Sequence, residues 1–254
     1  MAEVELHRAT RGFETAGERY ERGRPDYPPE AIDWTVAELG LTTGSGARVL
    51  DVGAGTGKLT RPLLERRLEV IAVEPVEGMR ATLRVTAPRT DVRAGQAEAL
   101  PLADDEVDGI VAGQAFHWFA NAVALSEFAR VLRPPGRLAL IWNRRDLDQP
   151  LQAEIERLVA PYRGGAPRHA ANAWRAAFTD TAPFRLVAEH RMSHSQRLDA
   201  EGLVDRVLSI SFVAVRDARD RDSVAARVRG LAGPEPLELR YSTEVFVYAR
   251  RDLA

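Results

Sequence analysis

The stretch VLDVGAGTGKLT, from Val49 to Thr60, decides the fold that the sequence predicts. An apolar run ends in an aspartate, three glycines follow at every second position, and a helical pattern covers about Thr60 to Arg67. Glycine is needed where the backbone bends sharply or comes close to a ligand, because it lacks Cβ. The N–H groups of such a turn and helix start favour a polar or anionic ligand group. The order predicts a strand, a tight turn and a helix, with a nucleotide-like ligand against Gly53 to Gly57.

Two phosphate-binding motifs fail in this stretch at defined positions. The dinucleotide fingerprint G-x-G-x-x-G needs a third glycine where Lys58 stands. The P-loop G-x-x-x-x-G-K-[ST] needs a glycine at Val52 and a hydroxyl residue at Leu59. What remains is the pattern D-x-G-x-G-x-G, from Asp51 to Gly57.

Glu74 strengthens the prediction of a nucleoside ligand. Leu68 to Val73 has the pattern of a second strand, and Glu74 follows it, 19 residues after Gly55. An acidic residue about 20 residues beyond the glycines meets ribose hydroxyls in nucleotide-binding βαβ units. A carboxylate accepts two hydrogen bonds and a ribose diol offers two, so Glu74 is predicted to bind the ribose.

Residues 46 to 143 resemble the class I S-adenosylmethionine (SAM)-dependent methyltransferases. The resemblance is carried by Asp51 to Gly57, by Glu74, by Arg93 to Leu102 and by the turn Leu132-Arg133-Pro134-Pro135-Gly136 before a fifth strand. It implies an α/β fold, with a Rossmann-like doubly wound sheet of seven strands in the order 3-2-1-4-5-7-6. Strand 7 would be antiparallel, and a helical cap would cover the pocket.

The two ends of the chain resemble one small-molecule branch of these enzymes, similar to trans-aconitate methyltransferase. The resemblance lies in Phe13 to Pro28 and in Leu239 to Arg250. Tyr20 and Arg24 are expected to close over the amino-acid part of the cofactor, with Arg24 pairing with its carboxylate; a solvated N-terminal helix is the alternative.

The resemblance implies SAM as cofactor and S-adenosylhomocysteine as product. The implied cofactor-binding residues are Tyr20, Arg24, Asp51, Gly53, Ala54, Gly55, Gly57, Glu74, Pro75, Met79, Gln96, Ala97, Glu98 and Gln114. Gln96 stands where the family commonly has an aspartate beside the adenine, and its amide can still both donate and accept.

His117, which follows the fourth strand, is the candidate general base, and a packing histidine is the alternative. A base is needed only if the acceptor is protonated, as a hydroxyl is, and a carboxylate needs none. The residues expected to face the substrate are Phe116, Trp118, Trp142, His194 and Phe212, with Gln196 and Ser209 at matching positions of the branch. Core packing is the alternative for each of them.

Composition excludes several classes of protein. With 254 residues, 45% apolar, the chain is long enough for a proper core, and its net charge of −2 carries no basic footprint for nucleic acid. It has no cysteine and no paired histidine spacing, which argues against a disulfide scaffold and a metal site. The charged N-terminus lacks a secretory pattern and no window is apolar enough for a membrane span. We expect a cytoplasmic monomer or homodimer whose partner is a small-molecule substrate.

The chain is predicted to have three parts: an N-terminal helical segment over 1–45, a SAM-binding core over 46–143, and substrate-cap helices with the C-terminal strands over 144–254. Beyond the core, helices are predicted near Gln149–Ala160, Ala171–Phe178, Ala200–Val215 and Arg219–Leu231, and a strand over Phe184–Arg191.

Three functions remain open from the sequence. The first is a SAM-dependent methyltransferase acting on a small molecule, with O- or carboxyl-methylation favoured. The second is a non-catalytic SAM-binding or regulatory protein with the same fold. The third is an NAD-type oxidoreductase, which Lys58 disfavours.

Overall fold

A computed structural model describes residues 17–164, 172–179, 181–234 and 236–251. The chain divides into two compact units. The sheet unit comprises the described residues within 26–144, 167–192 and 243–254, and the helical unit those within 1–25, 145–166 and 193–242. The resemblance at residues 13–16 and the start of the predicted helix at residue 171 lie outside the described residues.

Seven strands form one sheet in the order β3-β2-β1-β4-β5-β7-β6, with β7 antiparallel. The strands are β1 Arg48–Val52, β2 Glu69–Val73, β3 Asp91–Arg93, β4 Val107–Gly113, β5 Leu132–Arg145, β6 Phe184–Leu198 and β7 Leu237–Arg250. The predicted strand order is confirmed, and with it the Rossmann-like methyltransferase fold.

The register of the parallel strands brings three chain segments to one edge of the sheet. β1 pairs with β2 up to Val52 opposite Val73, and with β4 through Leu50 opposite Ile110. Because parallel strands end at the same edge, the residues that follow β1, β2 and β4 lie together there. These segments begin with Gly53, with Glu74 and with Gln114.

Two of the helices in the described ranges precede β1, and the others lie in the connections between strands. The helices are α1 Gly17–Gly23, α2 Pro29–Glu38, α3 Thr60–Glu65, α4 Glu77–Thr86, α5 Ala122–Val131, α6 Pro150–Val159, α7 Ala200–Leu208, α8 Ser211–Ala214 and α9 Ala218–Leu231. Three of them begin at an N-cap side chain that accepts a backbone N–H. Asn121 caps α5, Asp199 caps α7 and Asp217 caps α9, with bond lengths of 2.7 to 2.9 Å.

Successive residues of the central strands pack on opposite faces of the sheet. Leu50, Ile110 and Leu138 lie in one buried cluster, which includes Phe128 of α5. Their chain neighbours, such as Val49 and Val111, lie in a second cluster with Ile32 and Val36 of α2 and Leu63 of α3. Both faces of the sheet are therefore covered, which is why these strands are continuous apolar runs in the sequence.

One predicted helix is broken in two. The pattern over Ala200–Val215 predicts one amphipathic helix, but α7 ends at Leu208 and α8 begins at Ser211. Between them the Ser209 Oγ donates to the carbonyl of Arg206 at 2.8 Å, and Ile210 is extended, with ψ of 125°. A serine hydroxyl that bonds its own backbone competes with helical pairing and favours such a break.

Two strands are longer than predicted. β6 continues to Leu198. In this added part Met192, His194 and Gln196 are half-buried while their neighbours are exposed, which is the alternation of a strand with one covered face. His194 and Gln196 are polar, so hydrophobicity alone hides this alternation. β5 begins at Leu132, so the segment 132–136, predicted as a turn, belongs to the strand. The pairing of β5 with β4 shifts its register across this segment.

The helical unit has an apolar core of its own. Side chains from α6, α7 and α9 pack with the start of β7, among them Leu158, Leu203, Val207, Val224 and Leu239. None of the helices within the described ranges is both long and apolar enough to cross a membrane.

Candidate functional site

The glycine turn after β1 is tied to the end of β2. Gly53, Gly55 and Gly57 have φ of +68°, +58° and +91°, a backbone region that other residues rarely adopt. The amides of Gly53 and Ala54 both donate to the carbonyl of Val73, at 2.8 and 3.3 Å. The turn is thus fixed against the strand whose end carries Glu74.

The three glycines are required for different reasons. A Cβ at Gly53 would lie 2.8 Å from Cβ of Ala115, and one at Gly57 would lie 2.6 Å from Cδ1 of Leu83. Packing therefore excludes a side chain at both positions. A Cβ at Gly55 would meet no atom of the described residues within 4 Å, so its backbone faces open space among them. A ligand can approach the backbone closely at Gly55, which is what the sequence predicts for this residue.

The carboxylate of Glu74 holds the turn from the side of β2. Glu74 is 6% exposed; its Oε2 accepts from the Gly55 amide at 3.0 Å and its Oε1 from the Val76 amide at 2.9 Å. Burial raises the pKa of Glu74, and these two backbone hydrogen bonds and the charge of Arg80 oppose the rise. Each carboxylate oxygen has a second lone pair, so Glu74 can also accept from a ligand hydroxyl.

Asp51 is a fully buried acid beneath the turn. Its Oδ2 accepts from the Thr60 hydroxyl at 2.7 Å, while its Oδ1 has no hydrogen-bond partner. Burial raises the pKa of Asp51 to about 7; the Thr60 hydrogen bond opposes this and the charge of Glu74 adds to it. The pair joins the end of β1 to the start of α3 and so fixes the turn between them.

We expect Asp51 to give the stability of the protein a slope with pH. The folded protein keeps this proton at pH values where the unfolded chain has released it, because the pKa rises from 3.8 to about 7 on folding. The free energy of unfolding therefore falls between pH 4 and pH 7, by up to about 4 kcal/mol, and levels off above. Denaturant titrations from about pH 4 to about pH 8 measure this.

The variant Asp51→Asn should flatten that slope, since its amide oxygen still accepts from Thr60 but does not titrate. The exposed Asp222 gives a matched control, and Asp222→Asn should keep the wild-type slope. An unchanged slope in Asp51→Asn would show that Asp51 does not carry the pH dependence.

The segment after β4 has an unusual backbone at Gln114. Its φ is +57°, although it is not a glycine. Its amide donates to the carbonyl of Ile141 at 2.8 Å and its Nε2 to the carbonyl of Asn143 at 3.1 Å. Such conformations persist where surrounding contacts enforce them, often at functional sites. These contacts fix the path of the backbone from the end of β4 into the helical turn Phe116–Trp118.

His117 lies in that turn and is held by a tryptophan of β5. The Trp142 Nε1 donates to Nδ1 of His117 at 3.3 Å. A neutral imidazole has one N–H and one lone pair, so a Nδ1 that accepts leaves the proton on Nε2. The His117 ring also lies 5.2 Å from the ring of Trp118, and both side chains are half-buried.

Two of the residues expected to face the substrate are core residues. Phe116 is 0% exposed and packs edge-on against Phe119 and Trp174, with centroid distances of 5.7 and 6.2 Å. Trp142 is also buried and lies 4.8 Å from the Trp174 ring. Core packing, the alternative given for both residues, is what the structure shows for Phe116 and Trp142, because side chains so enclosed stabilise the core. A contact of either with the substrate stays a prediction.

The loop after β3 is fixed to the start of α5. Ala97 is buried in the core, and Oε1 of Glu98 accepts from Nδ2 of Asn121 at 2.9 Å. Gln96 forms a short bridge with Ala99 and is half-buried. In α4, Met79 is buried, and Pro75 before it is half-buried. Whether these residues contact the cofactor stays a prediction.

Comparison with known proteins agrees with this geometry. A family model described as a methyltransferase domain matches residues 50–140. An uncharacterised methyltransferase of Mycobacterium tuberculosis is 42% identical over 224 residues, 88% of this chain and 86% of that protein. The chain belongs to the SAM-dependent methyltransferases of class I. This membership decides against the NAD-type alternative.

Two further methyltransferases are similar to this chain. A provisionally assigned type II methyltransferase from Anaeromyxobacter dehalogenans has a solved structure with a TM-score of 0.64, 25% identity and coverage of 90% of this chain and 97% of that one. A malonyl-[acyl-carrier protein] O-methyltransferase of Methylococcus capsulatus is 46% identical over 99 residues, which are 37% of this chain and 36% of that protein.

SAM is the cofactor of this methyltransferase, and the sheet unit has features that fit it. The backbone of Gly55 faces open space, Glu74 has lone pairs for the ribose diol, and an amide at the Gln96 position can bond an adenine edge. Within the described part of the chain, no group of three or more histidine, aspartate or glutamate side chains could hold a metal ion.

Six predicted site residues lie in the helical unit: Tyr20, Arg24, His194, Gln196, Ser209 and Phe212. Arg24 lies over the Tyr20 ring at 4.9 Å, and its Nε and Nη2 donate to the hydroxyl and carbonyl of Ser209, at 3.1 and 2.8 Å. His194 stacks on Tyr241, and burial lowers the pKa of His194. The guanidinium of Arg163 lies 5.4 Å from the ring of Phe212. Their contacts with cofactor or substrate stay predictions.

Proposed function

We propose that this methyltransferase methylates an oxygen of a small-molecule acceptor, and that the oxygen belongs to a carboxylate. The observation that carries the proposal is the hydrogen bond from Trp142 to Nδ1 of His117. It bears on the question that the sequence leaves open, namely whether a general base takes part.

The state of His117 favours an acceptor that is already deprotonated. With Nδ1 accepting from Trp142, Nε2 carries a proton and acts as a donor, whereas a base would need its lone pair there. A hydroxyl acceptor would lose its proton during transfer and so would need such a base. A carboxylate has its lone pair ready at neutral pH, and His117 can orient it by donating a hydrogen bond.

The chain's own contribution is binding and orientation. Bound SAM supplies a methyl group on a sulfonium, which is a good leaving group. Glu74 is proposed to fix the ribose, and the Asp51–Thr60 hydrogen bond keeps the glycine turn in place. Orientation of two reactants can contribute ~7–11 kcal/mol to lowering a barrier, so no further chemistry is required of the protein.

Two observations support a small acceptor methylated on oxygen. The net charge of −2 lacks the basic surplus typical of proteins that bind nucleic acid. The relative from Methylococcus capsulatus, 46% identical over 99 residues, is named as an O-methyltransferase.

Methyl-labelled SAM tests the proposal. The full chain is incubated with labelled SAM and a cell extract freed of its own methyltransferases by heating, and the extract is then separated by size. We expect label in the small-molecule fraction, released as volatile methanol by mild alkali, because methyl esters hydrolyse and ethers or N-methyl groups do not. Label in protein or nucleic acid, or label stable to alkali, would refute it.

His117→Ala should slow methyl transfer by less than about tenfold, because a carboxylate acceptor needs no base. The wild-type rate should also be nearly independent of pH between about pH 6 and 8. A rate loss of ~10²–10⁴-fold, with a histidine-like pKa in the wild type that the variant lacks, would assign His117 as the base and the acceptor as a hydroxyl. Trp142→Phe is a companion variant for the same rate measurement, since it removes the N–H that donates to Nδ1 of His117.

A further inference from the structure

The helical unit gathers four arginines around few acids. Arg206 is 6% exposed, and Arg24, Arg145 and Arg163 are half-buried. Glu156 is the carboxylate paired with both Arg145 and Arg163. The acceptors of Arg24 and Arg206 are uncharged: Ser209 for Arg24 and the Tyr241 hydroxyl for Arg206.

Arg206 has an unsatisfied donor in the interior of this unit. Its Nε donates to the hydroxyl of Tyr241 at 2.9 Å, but its Nη1 has no hydrogen-bond acceptor. A buried donor on a charged group that bonds nothing is costly, and native proteins rarely leave one without a reason. Such a position is explained when an ordered water, an ion or a ligand supplies the acceptor.

Hydrogen bonds with neighbouring polar groups fix the Tyr241 hydroxyl beside Arg206. The Tyr241 hydroxyl donates to Oε1 of Gln196 at 3.2 Å, and Nε2 of Gln196 donates to the carbonyl of Gly23 at 3.1 Å. The ring of His194 stacks on the Tyr241 ring at 5.4 Å. The hydroxyl of Tyr241 is therefore oriented by both Gln196 and Arg206.

The charges in this region repel one another. Burial, and next the charge of Arg206, lower the pKa of Arg24 to about 10. The pKa of Arg145 is also lowered, by burial and then by Arg206, with Glu156 opposing. A bound anion would relieve this repulsion, because it places negative charge between like charges in a medium of low dielectric constant.

We propose that the helical unit binds a small oxyanion at Arg206 and Tyr241. A guanidinium binds carboxylates and phosphates through paired N–H donors, so either group fits the chemistry.

Calorimetric titration of the full chain at low ionic strength tests this site. The probes are succinate, inorganic phosphate and, as a neutral match for succinate, succinamide. We expect the wild type to bind succinate or phosphate and not succinamide; which oxyanion binds more tightly distinguishes a carboxylate from a phosphate anchor. Arg206→Met, which keeps the apolar stem and removes the charge, should weaken binding by about tenfold or more.

A matched control separates the site from charge in general. Arg229 lies in the same unit and pairs with Glu201 at the surface, so Arg229→Met removes one arginine charge elsewhere. This control should bind the oxyanion as the wild type does. The affinity for S-adenosylhomocysteine should stay within about twofold in all three proteins. If Arg206→Met does not fold, Tyr241→Phe, which removes one hydroxyl, should weaken anion binding by about threefold or more.

Three outcomes would overturn the proposal: neither oxyanion binds the wild type, Arg206→Met binds it as tightly as the wild type, or Arg206→Met loses tenfold or more in affinity for S-adenosylhomocysteine. The last result would assign Arg206 to the carboxylate of the cofactor. Failure of the proposed function is seen separately, because label on a macromolecule or on nitrogen leaves these titrations unchanged.

Discussion

Gly55→Val should abolish binding of S-adenosylhomocysteine, with a loss of affinity of at least about a hundredfold, while the protein stays folded. The valine Cβ and methyl groups would point into the open space beside the turn, where the cofactor is expected to lie against the backbone. An overpacked contact against a fixed backbone costs about 3 kcal/mol, and a binding free energy weaker by that amount corresponds to a loss of affinity of about a hundredfold. Calorimetry measures the affinity, and circular dichroism the fold.

Backbone strain is the competing explanation, and Gly46 controls for it. Gly46 has φ of +69°, close to that of Gly55, and a Cβ there also meets no atom within 4 Å. Gly46→Val therefore introduces a similar strain away from the glycine turn and should keep the wild-type affinity. If Gly55→Val binds as tightly as Gly46→Val, the cofactor does not contact the backbone at Gly55.

Glu74→Ala should lower the affinity for S-adenosylhomocysteine by at least about tenfold. The variant loses hydrogen bonds from the ribose diol, each worth roughly 1.5–3 kcal/mol when the acceptor is charged. It also leaves the N–H groups of Gly55 and Val76 without the hydrogen bonds that they donate to the two carboxylate oxygens of Glu74 in the wild type. The loss thus has two sources, the ribose contact and the order of the turn.

A modified ligand separates the two sources. The 2′-deoxy analogue of S-adenosylhomocysteine lacks one of the hydroxyls that Glu74 is expected to bind. The wild type should prefer the complete ligand over this analogue by about tenfold, and Glu74→Ala should bind the two with nearly equal affinity. If the variant keeps the full preference, the ribose is bound by another residue and Glu74 serves the turn alone.

The order of the sheet was predicted from the resemblance to the class I methyltransferases, and the motifs that carry this resemblance are local in the sequence. Three glycines at every second position, an acid 19 residues after Gly55 and apolar runs at β1, β2 and β4 define one βαβ unit and its neighbours. The break after Leu208 could not be predicted, because it depends on the Ser209 hydroxyl bonding the carbonyl of Arg206, while the apolar pattern continues through it.

The site was predictable only in part, for a similar reason. The position of Glu74 follows from strand length and register, both visible in the sequence. The burial of Phe116 and Trp142 depends on Trp174, which packs on both from a distant segment of the chain. Arg206 lies within the predicted amphipathic helix Ala200–Val215, and nothing nearby in the sequence indicates its partner, because Tyr241 lies 35 residues further along the chain.

Titration of the wild-type protein with S-adenosylhomocysteine and, separately, with NAD tests the central claim most directly. A SAM site at the glycine turn, supported by Asp51 and Glu74, should bind one S-adenosylhomocysteine per chain, with a dissociation constant on the order of micromolar, and should give no heat with NAD. Binding of NAD, or no binding of S-adenosylhomocysteine, would contradict it.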